Sequence, residues 1–346
     1  VAVTAAVERP TARRGSGTLV LGLVLAGVLL VGLALASVFV GSKPIPAPTV
    51  LDALLRFDPA NTDHLFVRAE RVPRTLVGIA VGAALGVAGA VMQAVARNPL
   101  ADPGVLGINA GAALFIVTGI NAFGVTALTG YVWFGFAGAL VASLLVYGVG
   151  SMGREGATPI KLALSGAATN AAFVSLTTAV LLTDTDTFDQ FRFWQVGALS
   201  GRSMAVFWQS SGFIALGLLV ALAAARSLNT LSMGDDIARS LGQDVTRTRI
   251  AAGVAVVLLC GTATASVGPI AFVGLAVPLL ARSITGPDHR WLLPLSMVLA
   301  PSLVLGADVV GRVIARPGEL QVGILTALIG APVFIAMVRG RKVAAP

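Results

Sequence analysis

Few residues in this sequence are equipped for chemistry, and the gaps are as informative as the residues present. Lys43 precedes Pro, Lys161 precedes Leu and Lys342 precedes Val, so no lysine stands before Ser or Thr and the Walker phosphate loop is missing. A chain built this way does not hydrolyse ATP by itself. The two histidines, His64 and His289, fall in separate loops, which excludes haem held by two of its own histidines and an H-E-x-x-H protease site. Cys260 is the single cysteine and lies in an apolar run, so neither a disulfide framework nor a cysteine-ligated metal is available.

What remains is a set of charges in unexpected places. Asp308 stands four residues before Arg312 in an otherwise apolar stretch, which puts both on one helix face. A local ion pair that lets the carboxylate enter an apolar phase is one reading; a part in ion-coupled transport is the other. Arg71 and Arg74 flank Val-Pro just before another apolar stretch. Together with Arg312 they read either as anchors to phospholipid or as a docking patch for an acidic partner. Gln93 and Asn170 lie inside apolar runs and read as amides that bond between helices rather than as ligands.

The longest polar loop, 228–248, has its own pattern. Ser232 is expected to cap a short helix whose Asp235 and Asp236 favour its positive end, and Gly242 is expected to stop it. Leu231, Ile237 and Leu241 give that helix apolar residues to set against something. The surface is either a partner protein or the remainder of the same chain, since periodicity does not say what is covered.

The elements that must position these residues follow from composition. Of 346 residues, 56% are hydrophobic and 12% charged, about half the charged fraction of a soluble domain. That excludes a soluble enzyme and a nucleic-acid binder despite the net charge of +8. An all-α, polytopic membrane protein embedded in lipid is expected. Crossings are predicted at 18–40, 75–96, two within 103–153 turning near 122–130, 162–183, 203–225, 250–267, 272–282, 291–307 and 320–338, which makes ten. The first is too long for the apolar region of a signal peptide, about 7–15 residues, and reads as an uncleaved helix. Gly268-Pro269 is the reason for dividing 250–281, because proline breaks the helical ladder and disfavours helix at the residue before it. Short stretches such as 82–86 and 86–89, bounded by glycines, read as helix-packing faces.

With ten crossings and a cytoplasmic N-terminus, 15 Lys and Arg fall inside and 9 outside, while 7 acids fall inside and 9 outside. The whole positive excess then lies on one face, as the positive-inside rule requires. The expected organisation is a tail over 1–17, one transmembrane domain over 18–338 and a tail over 339–346, both tails cytoplasmic.

Several blocks occur together in one order: Arg71-Val-Pro-Arg-Thr-Leu76; Gly89-Ala-Val-Met-Gln93; Asn98-Pro-Leu-Ala-Asp-Pro-Gly-Val-Leu-Gly107; Phe193-Trp-Gln-Val-Gly197; Ser232-Met-Gly-Asp-Asp-Ile-Ala-Arg-Ser-Leu-Gly242; Gly268-Pro-Ile-Ala-Phe-Val-Gly-Leu-Ala-Val-Pro278; and Glu319-Leu-Gln-Val-Gly323. On these blocks the sequence resembles the FecCD-type permeases, the BtuC-like (type II) membrane subunits of ABC importers for iron-siderophores, haem and cobalamin. The resemblance runs from about Arg71 to Arg339. It implies ten helices per subunit, pairing with a second copy or a homologous permease, two ABC ATPase subunits beneath, and an extracytoplasmic substrate-binding protein above. No cofactor is expected on this chain; ATP and Mg would be bound by the ATPases.

The same resemblance implies that Ser232, Gly234, Asp235, Asp236, Ala238, Arg239, Leu241 and Gly242 form the element that couples to the ATPase. It further implies that Arg71, Arg74 and Arg312 meet acidic residues of the binding protein. Small residues of the fifth helix, Ser165, Ala168, Thr169 and Ala172, are expected to line the pathway. The cytoplasmic membrane is the expected location and ferric siderophore the expected cargo, with cobalamin or haem as alternatives. An ion-coupled secondary carrier and a lipid-active membrane enzyme are the rivals. Two departures from the family pattern stand out: Leu279 follows Pro278 where histidine is frequent, and Ala315-Arg-Pro-Gly318 is unusually basic.

Overall fold

Helices and tight turns account for all regular structure in the described residues, 16–152 and 158–340, of this computed structural model. The two tails therefore lie almost wholly outside the described residues, as do Arg9, Arg13, Arg14, Arg154, Arg341 and Lys342 of the charge count.

α1 (Ser16–Phe39) is apolar on every side and its span is only 6% buried, as suits a helix facing lipid. α2 (Ala47–Leu55) begins with Pro48 in its first turn, and Asn61 caps α3 (Thr62–Phe66) by accepting from the Asp63 N–H. A π-turn over Val67–Arg71 then carries the helix unbroken into α4 (Val72–Val95). A 3-10 turn at Pro103–Leu106 leads into α5 (Ile108–Phe123), and Gly124, at φ 64°, ends α5 before α6 (Leu128–Gly150). Thr158 caps α7 (Pro159–Thr183) and Asp184 caps α8 (Thr185–Gln195).

α9 (Met204–Ala223) returns across the bundle and is followed by the short α10 (Ala225–Leu231) and α11 (Asp235–Ser240). α12 (Val245–Val256) is capped by Asp244 and continues through a second π-turn, Val257–Gly261, into α13 (Thr262–Val267). Gly268, at φ 85°, turns the chain toward α14 (Val273–Thr285). Asp288 caps α15 (His289–Ile314), and α16 (Val322–Gly340) completes the bundle.

Seven segments are long and apolar enough to cross a membrane, and three shorter apolar helices, Ile108–Phe123, Val273–Thr285 and Val322–Ala336, bring the described crossings to the expected ten. The second crossing differs from expectation at its start. Helix begins at Thr62 rather than near 75, because the π-turn absorbs the change of register without a break. α2 and α8, which lie between crossings, were not anticipated, since each is too short to show an apolar period of its own.

α4 is the axis of the molecule, with 83% of its most apolar 18-residue stretch buried. Its glycines make this possible. A Cβ on Gly82 would lie 2.5 Å from Cα of Pro301, and one on Gly89 would lie 1.8 Å from the Gly274 carbonyl. Backbone therefore meets backbone between α4, α15 and α14, where dispersion contacts replace the hydrophobic drive that lipid cannot supply. Gln93 spans one of these contacts by donating to the Leu275 carbonyl, as expected of an interhelical amide. Asn170 does not behave alike: it lies on an exposed stripe of α7.

Candidate functional site

Alternating crossings put the end of α1 and the start of α4 on one face of the bundle and α10 and α11 on the other. On the second face, α11 is built differently from the sequence expectation at its start. Ser232 caps nothing in α11; it ends α10, its hydroxyl donating to the Asn229 carbonyl, and Gly234 occupies the N-cap. The reason is that α10 runs on to Leu231, leaving only a two-residue turn. Gly242 stops the element as expected, at φ 79° with its N–H on the Arg239 carbonyl.

The apolar residues of this loop divide. Leu231 and Ala238 are fully buried and pack with Val245 and Val95. Ile237 and Leu241 are 49% and 67% exposed, with Met233, Asp236 and Arg239 beside them on the open side. Asp235 faces inward: its carboxylate accepts from Nη2 of Arg249 at 2.8 and 3.0 Å, and Arg97 stands 4.0 Å away. The result is a short helix clasped to α12 on one side and presenting an apolar, charged-rim surface on the other. Such a surface suits a protein groove better than water or headgroups.

On the opposite face the three arginines expected to form an exposed patch are buried, with Arg71 2%, Arg74 6% and Arg312 1% accessible. Arg74 donates Nη2 to Asp308 at 2.7 Å and Nε to its other oxygen at 3.1 Å, while Nη1 reaches Glu319 at 2.7 Å. Arg312 makes the expected i,i+4 pair with Asp308 at 2.5 Å. Its Nη1 donates to the carbonyls of Ser37 and Val40, and Nη2 also to the Ser37 hydroxyl. Arg71 donates to the carbonyls of Val38, Phe39 and Lys43, and Arg316 to that of Gly41.

The carbonyls at a helix C-terminus have no intrahelical partner and carry the negative end of the dipole. Guanidiniums satisfy those of Ser37, Val38 and Phe39 at the end of α1. Neither lipid phosphate nor a distant partner is needed to explain why these arginines lie here. Glu319, which no local feature of the sequence ties to these arginines, closes the cluster and also accepts from the Ser42 hydroxyl at 2.7 Å. Burial works against its charge, but Arg74 and Ser42 outweigh it and hold Glu319 below the usual carboxylate range. A cavity of about 180 Å³ opens onto the cluster, with Ser42, Glu70, Arg71, Arg74, Arg312 and Glu319 in its wall.

α7 is the third unusual element, with only 11% of its span buried. Ser165 sits on its packed stripe, donating to the Val146 carbonyl of α6, so it is removed from the pathway assignment. Thr169 is half-buried beside Gly107, whereas Ala168 and Ala172 are exposed. Asn170, Ser175 and Thr178 share the exposed side. Ser175 and Thr178 return their hydroxyls to the Ala171 and Val174 carbonyls, which leaves the Asn170 amide as the group that lipid would serve poorly.

Residues 28–340 match the model of the FecCD transport family. The ferric enterobactin transport system permease protein FepD of Escherichia coli (strain K12) is 44% identical over 339 residues, covering 98% of this chain and 97% of FepD. A probable siderophore transport system permease protein of Bacillus subtilis (strain 168), YfiZ, is 41% identical over 88% of this chain and 91% of its own. A solved structure of a metal-chelate type ABC transporter in an inward-facing conformation superposes with a TM-score of 0.81 at 26% identity, over 93% of this chain and 100% of that one.

Proposed function

Because the chain belongs to the FecCD transport family, we propose that it is the membrane permease subunit of an ATP-driven importer carrying ferric siderophores, or a closely related metal chelate, across the cytoplasmic membrane. It is a transport subunit rather than an enzyme, and ATP is hydrolysed by separate ATPase subunits. The observation that carries the mechanism is the two-sided α11. Its inner side is clasped by Arg249 and its outer side offers Ile237 and Leu241. A rigid clasp is what transmission needs, since a motor pushing on a flexible tether would move nothing behind it.

The basic excess expected on the α11 face supports an inside orientation for that face and for both termini. The ATPase pair would then sit against α11. The exposed stripes of α7 and α16 support pairing with a second copy or a homologous permease, leaving a lumen lined by Ala168, Ala172 and the uncovered polar residues of α7. Docking of an extracytoplasmic binding protein takes an altered form. Arg71, Arg74 and Arg312 are not laid out on the surface, so a partner carboxylate would enter the cavity and take the place of Glu319 on Arg74. Ferric siderophore is favoured as cargo because the relatives at 44% and 41% identity bear enterobactin and siderophore names, while a cobalamin permease stands at 37%.

Proteoliposomes containing this chain, its ATPase and its binding protein should accumulate ferric siderophore only with ATP inside the motor compartment. Accumulation by the chain alone under a sodium or pH gradient would overturn the proposal.

A further inference from the structure

A second cavity was given no part in transport above, although the Arg249 that clasps α11 stands at its end. It is a slot of about 230 Å³ between α6 and α12, walled by Leu140, Leu144, Tyr147, Val254 and Leu258 with Arg249 at one end. Along α6 it runs from Phe136 to Tyr147, about 16 Å at the helical rise. That is close to half of the roughly 30 Å hydrocarbon core, the depth of one leaflet. The deep end is stopped by aromatic rings: Phe213 of α9 stands 4.8 Å from Phe136 and 6.0 Å edge-on from Trp133. The slot is thus closed by rings at its deep end and open toward the α11 side.

The chemistry changes at the shallow end. Arg249 gives Nη2 to Asp235, and among the described residues its Nε and Nη1 have no acceptor. Arg97 stands near the same carboxylate, so two guanidiniums share one acid and a positive charge is left over. The Tyr147 hydroxyl likewise has no protein partner among the described residues and lies at the same level. A chain-length apolar slot with a surplus cation and a phenol at its mouth is complementary to one kind of molecule.

We propose that this slot holds one acyl chain of an anionic phospholipid from the leaflet on the α11 side, with its phosphate on Arg249. The lipid is then bound rather than merely adjacent, and its headgroup shares Arg249 with Asp235 at the root of α11. A zwitterionic lipid such as phosphatidylcholine also has a phosphate, but its quaternary amine cancels that charge, so it fills the slot without offsetting the surplus cation.

Gly253 makes the test clean. It lines the slot, and a Cβ there would meet nothing within 4 Å, so Gly253→Leu plugs the space without disturbing packing. The full chain is placed in phosphatidylcholine nanodiscs doped with phosphatidylglycerol, or with phosphatidylcholine, carrying a diazirine at the chain tip. Labelled peptides are then mapped by mass spectrometry. The phosphatidylglycerol probe should label the region of Phe136 and Leu258 about fivefold more than the phosphatidylcholine probe, the factor expected from about one interfacial charge. Gly253→Leu should abolish that labelling while α1, exposed to bulk lipid, is labelled as before. Arg249→Gln should equalise the two probes without emptying the slot. Equal labelling of the native chain by both probes, or unchanged labelling in Gly253→Leu, overturns the proposal. So does an unlabelled slot with disulfide formation between copies carrying Leu144→Cys, which would show a second subunit covering this face.

Discussion

Arg74 and Asp308 are 234 positions apart in the chain and 2.7 Å apart in space. The contact joins the start of α4 to the far end of α15 and is shared with Arg312 and Glu319. A carboxylate with no exposed surface, held by two guanidiniums, is stable only while both sides are present.

Replacing Asp308 by Asn should therefore leave Arg312 buried without its counter-charge and Arg74 with Glu319 alone. The expected loss is about 3–5 kcal/mol, the usual consequence of removing one partner of a buried pair. It would be read as a lower thermal midpoint in detergent and reduced yield from membranes. Glu319→Gln should lose distinctly less, because its side chain is 22% accessible and partly screened.

Acid should act through Glu319 in a defined direction. Its folded value lies below the ordinary 4.5, so its contribution is fully present above 4.5 and lost as pH falls through the lower folded value. The stability difference between the native chain and Glu319→Gln should stay constant from neutral pH down to 4.5 and shrink below it. Thermal melts across a pH series would read this directly.

If a partner carboxylate replaces Glu319 on Arg74, removing the occupant should help the partner. Glu319→Ala is expected to bind the substrate-binding protein several-fold more tightly, and Arg74→Ala more weakly than the native chain. Titration of the binding protein onto nanodisc-embedded permease distinguishes this from a purely structural Glu319, for which the variant would bind no better.

The outward face of α11 predicts a separation of functions. Ile237→Asp with Leu241→Asp should abolish co-purification with the ATPase while membrane insertion is retained. An Asp235/Arg239 double replacement removes the inner clasp to Arg249 together with one charge of the open rim, and should leave hydrolysis running without uptake. Transport and ATPase rates measured on one reconstituted preparation would separate the two.

Cysteine accessibility tests the lumen. Ala168→Cys, Ala172→Cys and Ser175→Cys should react with a membrane-impermeant maleimide in the assembled transporter, and Ser165→Cys should not, being packed against the Val146 carbonyl. Reaction at Ser165→Cys alone would mean that α7 is rotated from its position here.

The crossings were legible because each is a local property: an apolar run of the right length, or a Gly-Pro pair inside a run too long for one helix. The stop of α11 at Gly242 was legible for the same reason. Its start was not, because Ser232 reads equally well as the end of one helix or the beginning of the next, and only the length of α10 decides. The spacing of Asp308 and Arg312 announced their pairing, but nothing near Arg74 in sequence points to Asp308 or Glu319. The one usable hint was the number of acids on the face where those arginines fall. Val67–Arg71 contains neither Gly nor Pro, so its π-turn left no trace at all.

Guanidinium capping at the end of α1 bears on how the molecule is held together. α1 ends in carbonyls whose donors are encoded about thirty and about 270 residues later. Arg71 comes early in the chain and secures two of them; Arg312 stands near the end of the ninth described crossing. The corner where α1 ends is therefore completed only by a residue of α15, so the first and the penultimate helices of the described bundle are tied to each other through backbone carbonyls.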